Sequence, residues 1–135
     1  MASMMRLTTE QVTTATDKLV AAFAATDTAA YFACFSADAT FVFHPEAARL
    51  DDRAAYEALW ASWIDAGWQV VSCTSSDRLI QLLGDAAVLT HTVDTVTSEG
   101  GTETATRERE SIVFVRDGDR VLAVHEHLSP VPADA

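Results

Sequence analysis

The run Thr40-Phe41-Val42-Phe43 leads directly into His44, which Pro45 follows. An imidazole titrates near neutrality, so a histidine at a strand end can take a proton from a carbon acid or activate water. It can also do no more than hydrogen-bond in the turn before the proline. His125 and His127 lie two apart, which in a strand puts both on one side, and Val121 and Ala123 precede them there. Two imidazoles facing a cavity act as an acid–base pair or supply two metal ligands, the third then coming from His44, His91 or Glu126. The alternative is a hydrogen-bonded feature of the fold. Arg107 and Arg109 alternate with Glu108 and Glu110, giving one basic and one acidic face. An inward arginine grips a carboxylate or enolate oxygen with two hydrogen bonds, whereas an outward one pairs ions across the sheet surface. Arg109 lies deeper from Gly100-Gly101 and is the stronger candidate.

His91, between Thr90 and Thr92, is either a further pocket group or an exposed strand residue. Trp60 and Trp63 are core residues that also serve as pocket wall, and Phe41 joins them. Asp51-Asp52 reads as a helix cap and Glu108/Glu110 as a solvated ladder. The expected catalytic residues are therefore His44, Arg109 and His127, with Phe41, Trp60, Trp63, His91 and His125 around the substrate. No metal and no cofactor is expected.

Thr8 to Gln11 has the form of a capping box, and Val12, Ala15, Leu19, Ala22 and Phe23 recur at helical spacing to about Ala25. Asp27 can cap a short second helix, Thr28 to Phe35. Ser36-Ala37-Asp38 breaks it, and a strand over 40–43 stops at His44-Pro45. A third helix starts at Asp51-Asp52, carries Tyr56, Leu59, Trp60, Trp63 and Ile64 on one face, and ends at Gly67. From Trp68 the period changes: residues 68–83, 86–97, 103–116 and 120–128 read as strands joined by short turns, which force antiparallel pairing. Helices followed by a meander spell an α+β fold, a cone-shaped barrel of three N-terminal helices on a strongly curved antiparallel sheet. A cone leaves a cavity between helix and sheet.

The chain has 135 residues, 49% of them hydrophobic, which suits one domain with an ordinary core. Nine Lys plus Arg against twenty Asp plus Glu give a net charge of −11. Nucleic acid and anionic membrane surfaces need a basic footprint, so neither is expected as a partner. Cys34 and Cys73 sit in apolar stretches, as buried thiols of a reducing compartment do. No signal peptide or membrane-length apolar run is visible, and a cytoplasmic location is expected. The divisions expected are 1–7, disordered or left by cloning, a single domain over 8–129, and a tail over 130–135.

Two stretches give this order of elements a family likeness. Phe35-Ser36-Ala37-Asp38-Ala39-Thr40 resembles an F-x-x-D-A-T helix-to-strand junction, and Arg109 to Gly118 with Val124 to Ser129 resembles a closing hairpin. Both are similar to the SnoaL-like branch of the nuclear transport factor 2-like superfamily, and the ending also resembles the hub domain of calcium/calmodulin-dependent kinase II. The likeness runs from about Thr8 to Ser129 and implies the cone fold. It says less about chemistry, because the superfamily holds isomerases, cyclases, dehydratases, hydrolases and non-catalytic scaffolds. Ketosteroid isomerase, a relative, has a catalytic Asp where His44 precedes Pro45, an oxyanion Tyr where Leu19 falls, and a protonated Asp near Ile112. The resemblance therefore does not carry steroid isomerisation to this chain.

The reading that follows is a small-molecule-binding protein, acting as a cofactor-independent isomerase, polyketide-cyclase-like enzyme or dehydratase on an apolar carbonyl-type substrate. The alternative is a non-catalytic ligand-binding or oligomerisation module. Leu79, Leu83, Val88, Val96, Ile112, Phe114, Leu122 and Val124 place apolar residues on more than one sheet face. The helices cannot cover both, so a homodimer through the outer sheet face is expected.

Overall fold

The structure is a computed structural model that describes residues 6–133. Helix α1 (Thr9–Ala24) starts at the capping box: the Thr8 hydroxyl accepts from the Gln11 amide, and the Gln11 side chain accepts from the Thr8 amide. Its buried stripe is Val12, Thr16, Leu19 and Ala22. Helix α2 (Thr28–Phe32) is capped by Asp27 and ends before Phe35. Phe35 instead opens strand β1 (Phe35–Phe43), so the strand begins earlier than the sequence suggested. The physical reason is a partner: the Ala123 amide donates to Cys34 O, and Arg53 Nη1 donates to Phe35 O. Helix α3 (Arg53–Asp65), capped by Asp52, stops where Gly67 takes a φ of +89°.

Strands β2 (Trp68–Leu83), β3 (Ala86–Glu99), β4 (Thr102–Asp117) and β5 (Arg120–Pro130) form the meander. The sheet order is β1-β5-β4-β3-β2. The expected all-antiparallel sheet is thus mixed: β1 lies parallel to β5, Phe41 across from Glu126 and Phe43 across from Leu128. Helix α3 sits between β1 and the meander in sequence, so β1 arrives at the edge from outside it. Register breaks at Val70/Ser72, Ser76/Leu79 and Val113/Phe114 bend the long strands, and the sheet curls without closing. Its concave face holds the helices.

The core is aromatic. Trp60 is 1% exposed, stacks on Tyr31 at 5.0 Å between centroids, and donates its indole N–H to Thr28 Oγ1. Phe35, Phe41 and Tyr56 continue the cluster. Leu7 is buried and its amide donates to Gly84 O, so ordered chain begins before Thr8; residues 1–5 of the expected N-terminal segment lie outside the described residues. At the other end Val131 N–H donates to Arg107 O, and 134–135 of the expected tail lie outside them. Among the described residues no helix is long and apolar enough to cross a membrane.

Candidate functional site

A cavity of about 210 Å³ lies between the helices and the concave sheet face. Leu19, Val20 and Phe23 of α1, Phe43, Trp63 and Trp68 form much of its apolar wall, completed by Val93 and Leu128. Its polar groups include Tyr31, Tyr56, three threonines (Thr95, Thr97 and Thr106) and four glutamates, Glu46, Glu108, Glu110 and Glu126. No Lys, Arg or His lines it among the described residues.

Glu126 is the most unusual of these. It is 1% exposed, and its Oε1 has no hydrogen-bond partner. Burial, and then the charge of Glu110, push its carboxyl well above the usual range, which favours its protonated form. The Tyr31 and Tyr56 hydroxyls meet at 3.0 Å, and both are raised by burial first and the Glu126 charge second. A pair of hydroxyls sharing one hydrogen bond keeps one O–H free to donate elsewhere.

Glu110 is held from behind. His91 Nε2 stands 2.7 Å from Glu110 Oε1, and His91 Nδ1 stands 2.6 Å from Ser75 Oγ. Arg78 Nε donates to the same Ser75 oxygen at 2.8 Å, and Arg78 Nη1 donates to Asp17 of α1. Arginine only donates. Ser75 therefore accepts from Arg78 and also bonds His91 Nδ1, while His91 Nε2 holds Glu110 from the other side of the ring. The register shift between Ser76 and Leu79, with Asp77 at a φ of +52°, brings Arg78 into this chain.

The sequence-based candidates divide three ways. His44 is at the rim, bonded through Nε2 to Glu108 at 2.5 Å, and Glu108 is the member of the pair that lines the cavity. Trp63 lines the cavity, whereas Phe41, Trp60 and His91 are buried behind its wall. Arg109, His125 and His127 stand on the outer face, which reverses the expectation that the His pair and Arg109 face the cone. The cause is register: Ile112, Phe114 and Glu126 turn inward, and alternation then carries Ser111, Arg109 and His127 outward. Arg109 and His127 line an outer depression with Thr92, Ser111 and Ser129. His125 Nδ1 bonds Thr40 Oγ1 at 2.7 Å, and burial followed by His127 lowers its pKa.

The same alternation corrects the reading of Glu108/Glu110 as a solvated ladder: Glu110 is 9% exposed. Sequence reasoning also passed over Tyr31 and Tyr56 as chemical groups and weighed Glu126 only as a third metal ligand. The available signal was Glu126 itself, a lone carboxyl that must face opposite to its two histidine neighbours. Among the described residues no three His, Cys, Asp or Glu side chains converge as a metal site.

Comparisons with known proteins agree with this geometry. Residues 12–134 match the family described as SnoaL-like domain. A nuclear transport factor 2-like protein from Rhodospirillum rubrum superposes with a TM-score of 0.77 at 17% identity, over 90% of this chain and 98% of that one. A candidate dehydratase of the same family from Streptomyces avermitilis gives 0.75 at 20%, over 92% and 97%. A candidate calcium/calmodulin-dependent kinase II association domain from Exiguobacterium sibiricum gives 0.78 at 16%, over 93% and 96%. No curated protein matches the sequence significantly. These structural likenesses concern the fold, and the family match covers nearly the whole sequence: the chain belongs to the SnoaL-like domain family.

Proposed function

We propose that the protein binds a small, largely apolar molecule in the cone cavity and acts on its oxygen-bearing end by general acid–base catalysis without a cofactor, as an isomerase, cyclase or dehydratase. The observation that carries this reading is the buried, unpartnered carboxyl of Glu126, raised by burial and by Glu110, in one cavity with the His91-bonded carboxyl of Glu110. Two carboxyls whose environments separate their protonation states are the usual basis for assigning an acid and a base. Glu126 is then the proton donor and Glu110 the acceptor. Tyr31 and Tyr56 supply an O–H to hold developing charge on a carbonyl or hydroxyl oxygen, as an oxyanion hole does. His44 keeps a role at the rim, orienting Glu108. On this reading Arg109 and His127, on the outer face, do not touch the substrate. The dehydratase description of the Streptomyces relative is compatible with this chemistry.

The test uses proton exchange in heavy water. Cyclic ketones and β-hydroxy ketones small enough for the cavity are incubated with the protein, and deuterium uptake or water loss is followed by NMR. Turnover that falls about a hundredfold or more in Glu126→Gln is the expected result, within the range for removing a general acid. Binding seen through quenching of Trp63 and Trp68 with no exchange in any compound would replace this reading with the non-catalytic module.

Assembly is a separate proposal. Leu79 and Leu83 on the outer side of β2 are 61% and 60% exposed, and they adjoin Val88 across the β2–β3 ladder. We infer a homodimer through this face, an arrangement that closes by a twofold axis. Cys34 and Cys73, both free, suit the reducing cytoplasm, where we place the protein.

A further inference from the structure

The cavity also has a sign. Four carboxyl groups face into it, and among the described residues no cationic side chain lines it. Six aromatic side chains share the lining. Glu108 and Glu110 are alternate residues of β4, so both turn inward on the same strand, about 7 Å apart along it. Each has one imidazole partner, His44 and His91. Arg78, which reaches Ser75 behind His91, pairs with Asp17, so among the described residues Glu110 has no guanidinium or ammonium partner and its charge faces the cavity. That charge is felt across the cavity, at Tyr31, Tyr56, Cys73 and Glu126. Glu126, the fully buried carboxyl, is pushed toward its neutral form there by burial and by Glu110. An apolar, aromatic-walled space with unbalanced negative charge rejects carboxylates and phosphates. It favours a group that can both pair with a carboxylate and lie on aromatic faces, and an alkylammonium does both.

We propose that the natural ligand carries a single protonated amine, seated between Glu110 and Glu108 against the aromatic wall. This rests on the reading of the cone cavity as the ligand site and adds the charge class of the molecule. Glu110, the acceptor of that reading, then meets the ammonium as its counter-ion with Glu108 beside it, and Glu126 faces the oxygen at the other end of the same ligand.

Three probes of one shape decide it: 2-phenylethylammonium, 2-phenylethanol and 3-phenylpropanoate. Each is titrated by calorimetry at low salt and about pH 8, where a free imidazole is neutral. The ammonium should bind at least about tenfold more tightly than the alcohol, and the propanoate should not bind. Added salt should reduce the preference, and Glu110→Gln should narrow it to within about threefold. Alcohol binding that equals or exceeds ammonium binding, or any binding of the propanoate, overturns the cationic ligand while leaving the cavity as the site. An unchanged preference in Glu110→Gln overturns Glu110 as the counter-ion. Failure of all three probes at millimolar concentration overturns both readings. The wild-type ratio is sufficient by itself should the variant not fold.

Discussion

His91 and Glu110 face each other directly across the β3–β4 ladder, with Nε2 of one 2.7 Å from Oε1 of the other. Behind them the chain Ser75, Arg78 and Asp17 leads out to the surface of α1. The donor-only guanidinium makes both Ser75 Oγ and Asp17 Oδ1 acceptors from Arg78. Nitrogen NMR should find Nε2 of His91 protonated and bonded to the Glu110 carboxyl. Ser75→Ala removes the partner of Nδ1 and should cost about 1 kcal/mol of stability. A bare, unprotonated Nε2 would refute the His91–Glu110 hydrogen bond as the support of Glu110.

Glu126 gives the protein a pH dependence of definite sign. Burial first and Glu110 second raise its carboxyl well above the ordinary 4.5. The folded protein thus retains a proton that the unfolded chain releases. The stability from this group is fully present below the ordinary carboxyl value and is lost as pH rises through the raised one. Melting temperature should accordingly fall in the wild type as pH rises from the ordinary carboxyl range through the raised value. Glu126→Gln cannot ionise, so it should flatten that slope and melt higher than wild type at the alkaline end by a few degrees, a shift of about 1 kcal/mol. Parallel pH profiles of the two proteins would remove Glu126 as their cause.

What the sequence made legible was local. Thr8 and Gln11 announce a capping box that is present in both directions, and Tyr56, Trp60 and Trp63 at helical spacing mark the face of α3 that packs inward. The side of the sheet each residue takes was not legible, because β4 is apolar on both faces near its end. Ile112 and Phe114 compete with Val113 and Val115 for the interior, and only the core cluster they join, with Phe35 and Trp60, decides for the larger pair. That one decision turns Glu110 inward and Arg109 outward. The register break at Val113/Phe114 adds a residue to β5 just before His125, so counting back to Val121 and Ala123 misassigns the His pair. Ala123 is fully buried inside, while His125 two residues later bonds Thr40 on the outer side. Parallel pairing of β1 with β5 was equally hidden, since it joins residues more than eighty positions apart, Thr40 and His125 for example.

The outer face carries the last expectation. Leu79 and Leu83 are each more than half exposed, four residues apart on β2. Burying a leucine at an interface contributes about 1.5–3 kcal/mol, and a twofold axis doubles each contact. Opposing this is the repulsion between two chains of charge −11, which salt screens. Light scattering should then give twice the 14.6 kDa chain mass at micromolar concentration and moderate salt, with the dimer fraction falling as salt is withdrawn. Leu79→Asp places two more charges at the contact and should shift the protein to monomer. Because Leu79 is exposed within one chain, its substitution should leave monomer stability within about 0.5 kcal/mol, so loss of dimer with an unchanged circular dichroism spectrum identifies the face. A wild-type mass equal to one chain under the same conditions would rule out the homodimer, and a Leu79→Asp variant that stays dimeric would move the interface elsewhere.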